Sequence, residues 1–211
     1  SGGGSSMSSA NIDHIYKSLK YEIQVLEPTT TEYETVKQLS GLHTTDYDRD
    51  DDENEEKRTT ATTTTIKGVF KLKRAFDFGR FTSLIPNQRL LFHGTKTSNV
   101  IGIMSKGLSL PQVVLSKYNV SRTNRGNLGS GMYFSDSFDD SIVYTIPADN
   151  GGVVAVDKGK DRFMFVCDVA LGKLCEVNEH HYEFVSPPVG FDSVHGVKGT
   201  LFDRYEFVVY N

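Results

Sequence analysis

A low-complexity block in the first third of the chain places the strongest restriction on how the chain can fold. The segment Asp46–Arg58 contains eight acidic and three basic residues, and the threonine-rich run Thr59–Thr65 follows it directly. Such a segment cannot bury enough apolar surface to offset the conformational entropy lost on ordering. We therefore expect a flexible surface insertion at about residues 44–66, with the core formed by the segments on either side.

The rest of the composition is typical of one globular domain. The chain has 211 residues, of which 37% are hydrophobic, and this suffices for one well-packed core. No run of about 18 apolar residues occurs, so we expect no membrane-spanning helix and no membrane partner. The net charge of the chain is −4, and the acidic block alone contributes −5, so the remaining residues carry about +1. This leaves no broad basic face for duplex DNA. Residues 1–10 are interpreted as a disordered linker outside the domain, which would then span residues 11–211.

The two cysteines, Cys167 and Cys175, are too few for a disulfide framework. Cys167 lies within an apolar run, so we expect a reduced core residue. A cytoplasmic or nuclear location suits reduced thiols. A zinc site that combines both cysteines with His180 and His181 is an alternative, but the spacing fits no usual zinc pattern. We expect these histidines in a loop and no bound metal.

The periodicity of apolar residues predicts more strands than helices, which is typical of the α+β class. Strands are predicted at 21–26, 69–76, 89–92, 132–134, 162–171 and 205–210. Helices are predicted at 12–20 and at 138–144, the latter with Ser137 as its cap. A further helix, capped by Thr30 or Thr31, is predicted to run to about Leu39 with Gly41 as its stop. Another is predicted at 99–106, with Ser98 as its cap and Gly107 as its stop.

The first motif with chemical potential is the end of the apolar strand Leu90–Phe92, which runs into His93 and Gly94. Glycine has no Cβ, so its backbone can approach a flat ligand closely. One backbone residue also offers the donor and the acceptor that a primary carboxamide requires. His93 beside it can donate a hydrogen bond to a hydroxyl group. Alone, this pair is equally typical of an ordinary core or loop histidine.

Two further motifs offer aromatic rings and hydroxyl groups. Glycines at 126, 129 and 131 lead into a short strand that carries Tyr133, and this loop is either a mobile turn or a close approach to a ligand. Ser141 and Tyr144 are three residues apart on a predicted helix and share a face. Together they offer a hydroxyl for a carboxamide and a ring for stacking, although an ordinary half-buried helix face has the same pattern.

A single carboxylate, Glu206, interrupts the apolar run Tyr205–Tyr210. At a surface-facing position it would be unremarkable. If it faces a cleft between apolar neighbours, the cost of burying its charge indicates a functional role.

Taken together and in this order, the motifs from His93 to Glu206 closely resemble the catalytic domain of the poly(ADP-ribose) polymerases. Within that family, the segments GNLGSGMYFSDS, FVCDVALGK, GFDSVHGV and YEFVVY are most similar to the vault-associated members. The resemblance covers about residues 13–211. It implies a split antiparallel β-sheet, the ADP-ribosyltransferase fold, with short helices and an NAD cleft between the sheets. It also implies a catalytic domain without the regulatory helical domain that precedes it in some members.

The resemblance implies a role for each residue on the nicotinamide side of such a cleft. Gly94 matches the glycine whose backbone holds the carboxamide, and Ser141 matches the serine that adds a further hydrogen bond. Tyr133 and Tyr144 match the two tyrosines that enclose the nicotinamide ring.

On the sugar side, His93 matches the histidine that hydrogen-bonds the adenosine ribose, and Thr95 matches a small hydroxyl residue near the adenosine. Glu206 matches the catalytic glutamate. The resemblance thus implies that Glu206 is catalytic and that His93 and Tyr133 assist it.

The function implied is that of an NAD+ ADP-ribosyltransferase, which cleaves the nicotinamide–ribose bond and transfers ADP-ribose to a protein, to itself or to nucleic acid, with polymerisation left open. The alternatives are transfer of a single unit only, or a non-catalytic module that binds NAD or ADP-ribose. NAD+ is then a substrate, and the domain would be part of a larger multidomain parent or a vault-like assembly.

Three positions depart from the family pattern. Ser109 stands where some members carry an arginine that contacts adenosine, and Asp140 stands where some carry a lysine beside the active site. Only six residues separate Gly199 from Glu206, where chain-elongating members often have a long acceptor loop. The chain also stops at Asn211, so we expect either a truncated final strand or a different arrangement of it.

Overall fold

The computed structural model describes residues 13–14, 16–17, 19, 21–42, 64–74, 84–113, 126–146, 161–199, 201–202 and 204–211. Its strands are β1 (Tyr21–Leu26), β2 (Val69–Arg74), β3 (Gln88–Gly94), β4 (Met132–Phe134), β5 (Met164–Ala170), β6 (Leu174–Val177), β7 (Ser193–Gly196) and β8 (Glu206–Val209). Its helices are α1 (Thr31–Ser40), α2 (Thr97–Lys106) and α3 (Phe138–Ile142), and a 3-10 turn (Val143–Thr145) extends α3.

The strands form three sheets within the described residues. β1 pairs with β2, β3 pairs with β5, and the third sheet has the order β4-β8-β7-β6. A bridge between Phe92 and Ser135 joins the β3–β5 pair to the four-stranded sheet through two backbone hydrogen bonds of 2.7 and 3.0 Å. The α+β class and the division of the sheet are therefore as expected, and the pairs are antiparallel except for β6 and β7. Those two strands run parallel, an exception within the predicted split antiparallel sheet.

The strand β8 lies at the centre of the core because both of its faces are covered. Phe207 and Val209 belong to one cluster of buried side chains, and Val208 and Tyr210 belong to another. Side chains alternate along a strand, so successive residues enter opposite clusters. This two-sided burial explains why the strand is a nearly continuous apolar run in the sequence.

Local capping explains where two helices begin and end. The Thr30 hydroxyl accepts a hydrogen bond from the Tyr33 backbone N–H at 3.3 Å, and Gly41 ends α1 in the left-handed conformation, as predicted. The Ser137 hydroxyl accepts from the Asp140 N–H at 3.2 Å and caps α3, also as predicted.

The helix α2 departs from its prediction. It begins at Thr97, two residues before the predicted start, and its cap is Lys96 without a side-chain hydrogen bond rather than Ser98. The Asn99 side chain instead donates a hydrogen bond to the Thr95 hydroxyl at 3.1 Å, so a residue of the first turn bonds to a side chain just before the helix.

Several predictions fall wholly or partly outside the described residues. Within the segment predicted as the first helix, residues 13, 14, 16 and 17 are helical. Residues 44–63 of the acidic and threonine-rich insertion lie outside the described part of the chain, as do residues 1–10. Two short strands, β6 and β7, were not predicted.

In the part of the chain that the structure describes, no helix is both long and apolar enough to cross a lipid bilayer. Both cysteines are free, and Cys167 packs against the first buried cluster, as expected for a reduced core residue. Burial raises the pKa of the Cys167 thiol to about 12.

Candidate active site

The end of β3 lies directly against α3, and only glycine fits at the contact. A Cβ on Gly94 would lie 1.9 Å from the Ser141 carbonyl oxygen and 3.1 Å from the Tyr144 Cβ. Ser141 is buried and Tyr144 is 55% exposed. The structure thus brings together Gly94 and Ser141, the two residues predicted to bind a carboxamide, and the exposed Tyr144 lies beside them.

His93 is fixed in orientation by the neighbouring strand. Its Nδ1 lies 2.9 Å from the Tyr133 carbonyl oxygen, which can only accept, so Nδ1 carries the proton. Burial lowers the pKa of His93 and therefore favours the neutral ring. In the neutral ring Nε2 is an acceptor, so His93 would accept a hydrogen bond from a ligand hydroxyl. This reverses the direction expected from the sequence, because the sequence does not show the Tyr133 carbonyl.

Tyr133 is held by the glycine loop that precedes it. Its hydroxyl accepts a hydrogen bond from the Leu128 N–H and donates one to the Gly129 carbonyl, each at 2.9 Å. A Cβ on Gly126 would lie 2.1 Å from that hydroxyl oxygen. The loop is therefore a close-fitting support for the Tyr133 ring, and its glycine at 126 is explained by this contact.

Glu206 begins β8 and is partly buried. The Asn127 amide donates to Glu206 Oε1 at 3.3 Å, whereas Oε2 is buried and has no hydrogen-bond partner in the described chain. Burial raises the pKa of Glu206, and the Asn127 hydrogen bond and the nearby His180 and Arg204 oppose that rise. One carboxylate oxygen is thus anchored while the other is left to accept a hydrogen bond from a ligand.

Strand pairing places Glu206 at the same end of the molecule as Gly94. β8 pairs with β4 through Phe134 and Phe207, and His93 contacts the β4 backbone. Tyr144 provides the second link, because its Cβ adjoins Gly94, and burial and the nearby charge of Glu206 raise the pKa of its hydroxyl.

Thr95 is buried after the end of β3, and its hydroxyl accepts from Asn99 as described above. Sequence reasoning missed three groups that surround Glu206, namely Asn127, His180 and Arg204. For Asn127, its position inside the glycine loop that leads to Tyr133 could have indicated a place near the site. The other two become neighbours of Glu206 only through the tertiary fold.

Arg204 forms an ion pair with Asp140, with Nε and Oδ1 3.4 Å apart. The sequence marked Asp140 as a departure from the family's lysine at this place. In the structure the cation is Arg204, which comes from the segment before β8, and Asp140 in α3 is its ion-pair partner.

Nothing among the described residues establishes the predicted cleft between the sheets. Two cavities lie away from these residues, one beside Pro187 and Phe191 and the other between β1, α2 and β5. The cleft stays a prediction. Among the described residues no three His, Cys, Asp or Glu side chains gather into a group able to hold a metal ion. His180 and His181 lie in a loop, as expected.

The chain resembles several known proteins. It is 42% identical over 147 residues to Protein mono-ADP-ribosyltransferase PARP4 of Homo sapiens, an alignment that covers 67% of this chain and 8% of that protein. It is 28% identical to Protein mono-ADP-ribosyltransferase PARP3 of Homo sapiens over 87% of this chain and 29% of that protein. With Poly [ADP-ribose] polymerase 1 of Caenorhabditis elegans it shares 30% identity over 61% of this chain and 12% of that protein.

The chain thus spans less than a tenth of the length of the PARP4 relatives that it matches. A family model described as the poly(ADP-ribose) polymerase catalytic domain matches residues 46–211, which is most of the chain and includes every predicted site residue. The chain therefore belongs to the poly(ADP-ribose) polymerase catalytic domain family.

Proposed function

We propose that this chain is an NAD+ ADP-ribosyltransferase domain that breaks the nicotinamide–ribose bond of NAD+ and transfers the ADP-ribosyl group to an acceptor. Membership of the catalytic domain family supports the reaction. The arrangement of Gly94, Ser141, Tyr144 and Glu206 supports the place where it occurs.

The observation that carries the proposal is the buried, unpartnered Oε2 of Glu206. An unpaired buried carboxylate oxygen costs free energy, so its retention is best explained by a partner that arrives with the substrate. A ribose hydroxyl of NAD+ is a suitable donor. Asn127 fixes the other oxygen, so the carboxylate is oriented before the substrate binds.

The nicotinamide group would bind at the contact between β3 and α3. The Gly94 backbone and the Ser141 hydroxyl would hold the carboxamide, and the exposed ring of Tyr144 would stack on one face of the pyridine ring. Tyr133, held by its two hydrogen bonds to the glycine loop, would cover the other face.

The adenosine side would be held by His93 and Thr95, which follow one another closely at the end of β3. The Nε2 of His93 is an acceptor in the neutral ring, so it would accept from a ribose hydroxyl. The cleft between the sheets would run from this end of β3 to the start of β8.

The reaction requires charge stabilisation more than acid catalysis. As the bond from ribose to the nicotinamide nitrogen breaks, its electron pair leaves with neutral nicotinamide and positive charge develops on the ribose, as in glycoside hydrolysis. The ionised Glu206 would stabilise that charge through the ribose hydroxyl, an effect of about 2.7–4 kcal/mol for one preorganised group. The acceptor oxygen or nitrogen then bonds to the ribose carbon and releases its proton. The hydrogen bonds from Gly94 and Ser141 to the carboxamide would keep the leaving nicotinamide aligned with the ribose.

We further propose that the product carries a single ADP-ribose unit. The two relatives named first above are called mono-ADP-ribosyltransferases. The short segment between Gly199 and Glu206 supports this choice, because it leaves little chain for an acceptor loop. An acceptor protein, or the chain itself within a larger multidomain or vault-like parent, is the proposed partner.

The test is a comparison of Glu206→Gln with the unchanged chain. We expect nicotinamide release to fall about 100-fold to 1,000-fold, the loss typical of one preorganised electrostatic group, while 3-aminobenzamide still binds. Glu22→Gln is the matched control, because Glu22 is an exposed carboxylate on β1. Chromatography of released nicotinamide measures the rate. Unchanged release in Glu206→Gln would contradict the assignment.

The same incubation with labelled NAD+ decides the product. A single mass increment on the acceptor supports transfer of one unit, whereas a ladder of products would refute it and favour polymerisation.

A further inference from the structure

Arg204 holds a position between two elements of the candidate active site. It precedes Glu206 by two residues, and its Nε lies 3.4 Å from Asp140 Oδ1 in the first turn of α3. The Asp140 side chain is 19% exposed and that of Arg204 is 40% exposed. The pair is therefore partly shielded, and it connects the segment leading into β8 with α3.

The same guanidinium also reaches Tyr144. Asp140 in α3 also lies close enough to Tyr144, in the 3-10 turn that follows, for its negative charge to act on the phenol. Arg204 lies close enough to the Tyr144 hydroxyl to lower its pKa, against the rise caused by burial. One planar group with several N–H donors can thus hold a carboxylate and a phenol oxygen at once.

We propose that Arg204 is a positioning residue for the transfer reaction: anchored by its ion pair with Asp140, it would donate to the Tyr144 hydroxyl and so fix the Tyr144 ring relative to Glu206. This role rests on the proposed function, because it is exerted on the ring that would stack on nicotinamide. In this role Asp140 holds the Arg204 guanidinium in place, and the guanidinium orients the Tyr144 ring.

The position of Tyr144 explains why its ring needs such a support. The ring is 55% exposed and follows the short helix α3 in a 3-10 turn, so its packing alone does not fix its orientation. Tyr133, the other predicted ring, is held by two hydrogen bonds to the loop before it. Arg204 would give Tyr144 a comparable restraint.

The charge of Arg204 has a second effect, on Glu206. The groups that act on Glu206 are the Asn127 amide, His180 and Arg204, and each lowers its pKa against the rise caused by burial. The groups that act on Tyr144 are Glu206 and Asp140, which raise its pKa, and Arg204, which lowers it. Removal of the cation would therefore raise the pKa of Glu206, and activity would be lost at a higher pH as the solution is acidified.

Lysine and glutamine at position 204 separate the two effects. Arg204→Lys keeps the charge but loses the planar arrangement of donors, whereas Arg204→Gln loses both. For Arg204→Gln we expect KM for NAD+ to rise about tenfold, which corresponds to the loss of one hydrogen bond to a charged group. We also expect the acid limb of the pH profile, the range in which kcat falls as the pH is lowered, to move to higher pH. For Arg204→Lys we expect a raised KM with the acid limb close to that of the unchanged chain.

Two further variants complete the experiment. Asp140→Asn keeps the cation but removes its anchor, so KM should rise while the acid limb does not move to higher pH. Arg89→Gln is the matched control: within the described residues Arg89 lies over the Phe207 ring, with its guanidinium carbon 5.6 Å from the ring centroid, and donates to the Asn87 side chain, and neither partner is a predicted site residue. It should change neither quantity. Binding of 3-aminobenzamide, measured by calorimetry, should weaken with the rise in KM.

The outcomes distinguish this role from the proposed function. If the unchanged chain cleaves NAD+ but Arg204→Gln keeps its KM and its acid limb, the positioning role is wrong and the proposed function stands. If Arg204→Lys and Arg204→Gln are impaired equally in both quantities, the arginine is merely structural. If the unchanged chain cleaves no NAD+, the proposed function is overturned and this role with it.

Discussion

Replacement of Gly94 by alanine tests the contact on which the nicotinamide site depends. The added Cβ would lie 1.9 Å from the Ser141 carbonyl oxygen, whereas ordinary contact begins at 3.4 Å, so β3 and α3 must separate by about 1.5 Å. The clashing oxygen is a backbone atom, and no side-chain rotation can relieve the overlap. The substitution therefore moves two walls of the proposed site apart.

The separation should affect stability and activity to different extents. Overpacking of this kind costs about 1–3 kcal/mol in the free energy of unfolding. For a chain of this size the melting temperature falls by about 2–4 °C per kcal/mol, so the variant should still fold. A misplacement of about 1 Å in a catalytic site costs about 100-fold in rate, and we expect kcat/KM for NAD+ to fall by at least that factor.

Gly102→Ala provides the matched control. Gly102 lies in α2, and a Cβ there meets nothing within 4 Å. Alanine in a helix interior is favoured over glycine by about 0.5–1 kcal/mol, so this variant should melt slightly higher and release nicotinamide at an unchanged rate. If a folded Gly94→Ala chain keeps kcat/KM within twofold of the unchanged chain, the carboxamide does not bind at this contact and the reasoning fails.

Two other consequences of burial can be measured. Tyr210 donates a buried hydrogen bond to the Leu128 carbonyl at 2.6 Å, so Tyr210→Phe should lower the free energy of unfolding in urea by about 1–3 kcal/mol, and an unchanged midpoint would contradict this. Because the pKa of Cys167 is about 12, its thiol is protonated at pH 8, and iodoacetamide should modify it far more slowly in the folded chain than in urea. Site-resolved mass spectrometry measures the two rates, and equal rates would show that Cys167 is not buried.

Much of the site's local structure follows from short-range sequence patterns. The strand that ends in His93 and Gly94 and the Ser137 cap of α3 were predicted from an apolar run and from capping chemistry. Both depend on residues that are close together in the sequence. Family resemblance supplied the roles of these residues, which the patterns alone left open.

The strands that were missed depend on distant partners. β6 and β7 have four residues each, and β7 ends in Gly196, so neither has a clear alternating pattern. Their parallel pairing joins segments separated by a loop of more than a dozen residues. Such strands are stabilised by the sheet around them, a tertiary effect that outweighs local preference.

The electrostatic surroundings of Glu206 were beyond sequence reasoning for a similar reason. Asn127 lies 79 positions from Glu206, and Asp140 lies far from Arg204 along the chain. The pairing of β4 with β8 brings the segment between the glycine loop and α3 next to the strand that carries Glu206. The direction of the His93 hydrogen bond likewise depends on a backbone carbonyl that no residue pattern encodes.

The bridge between Phe92 and Ser135 limits how this domain can tolerate insertions and deletions. His93 and Gly94 directly follow one side of the bridge, and Tyr133 precedes the other side by two residues. Gain or loss of one residue on either strand at this crossing would turn the adjoining side chains to the opposite face. Divergent copies of the domain should therefore vary in the length of their surface loops, while these two short segments keep a constant number of residues.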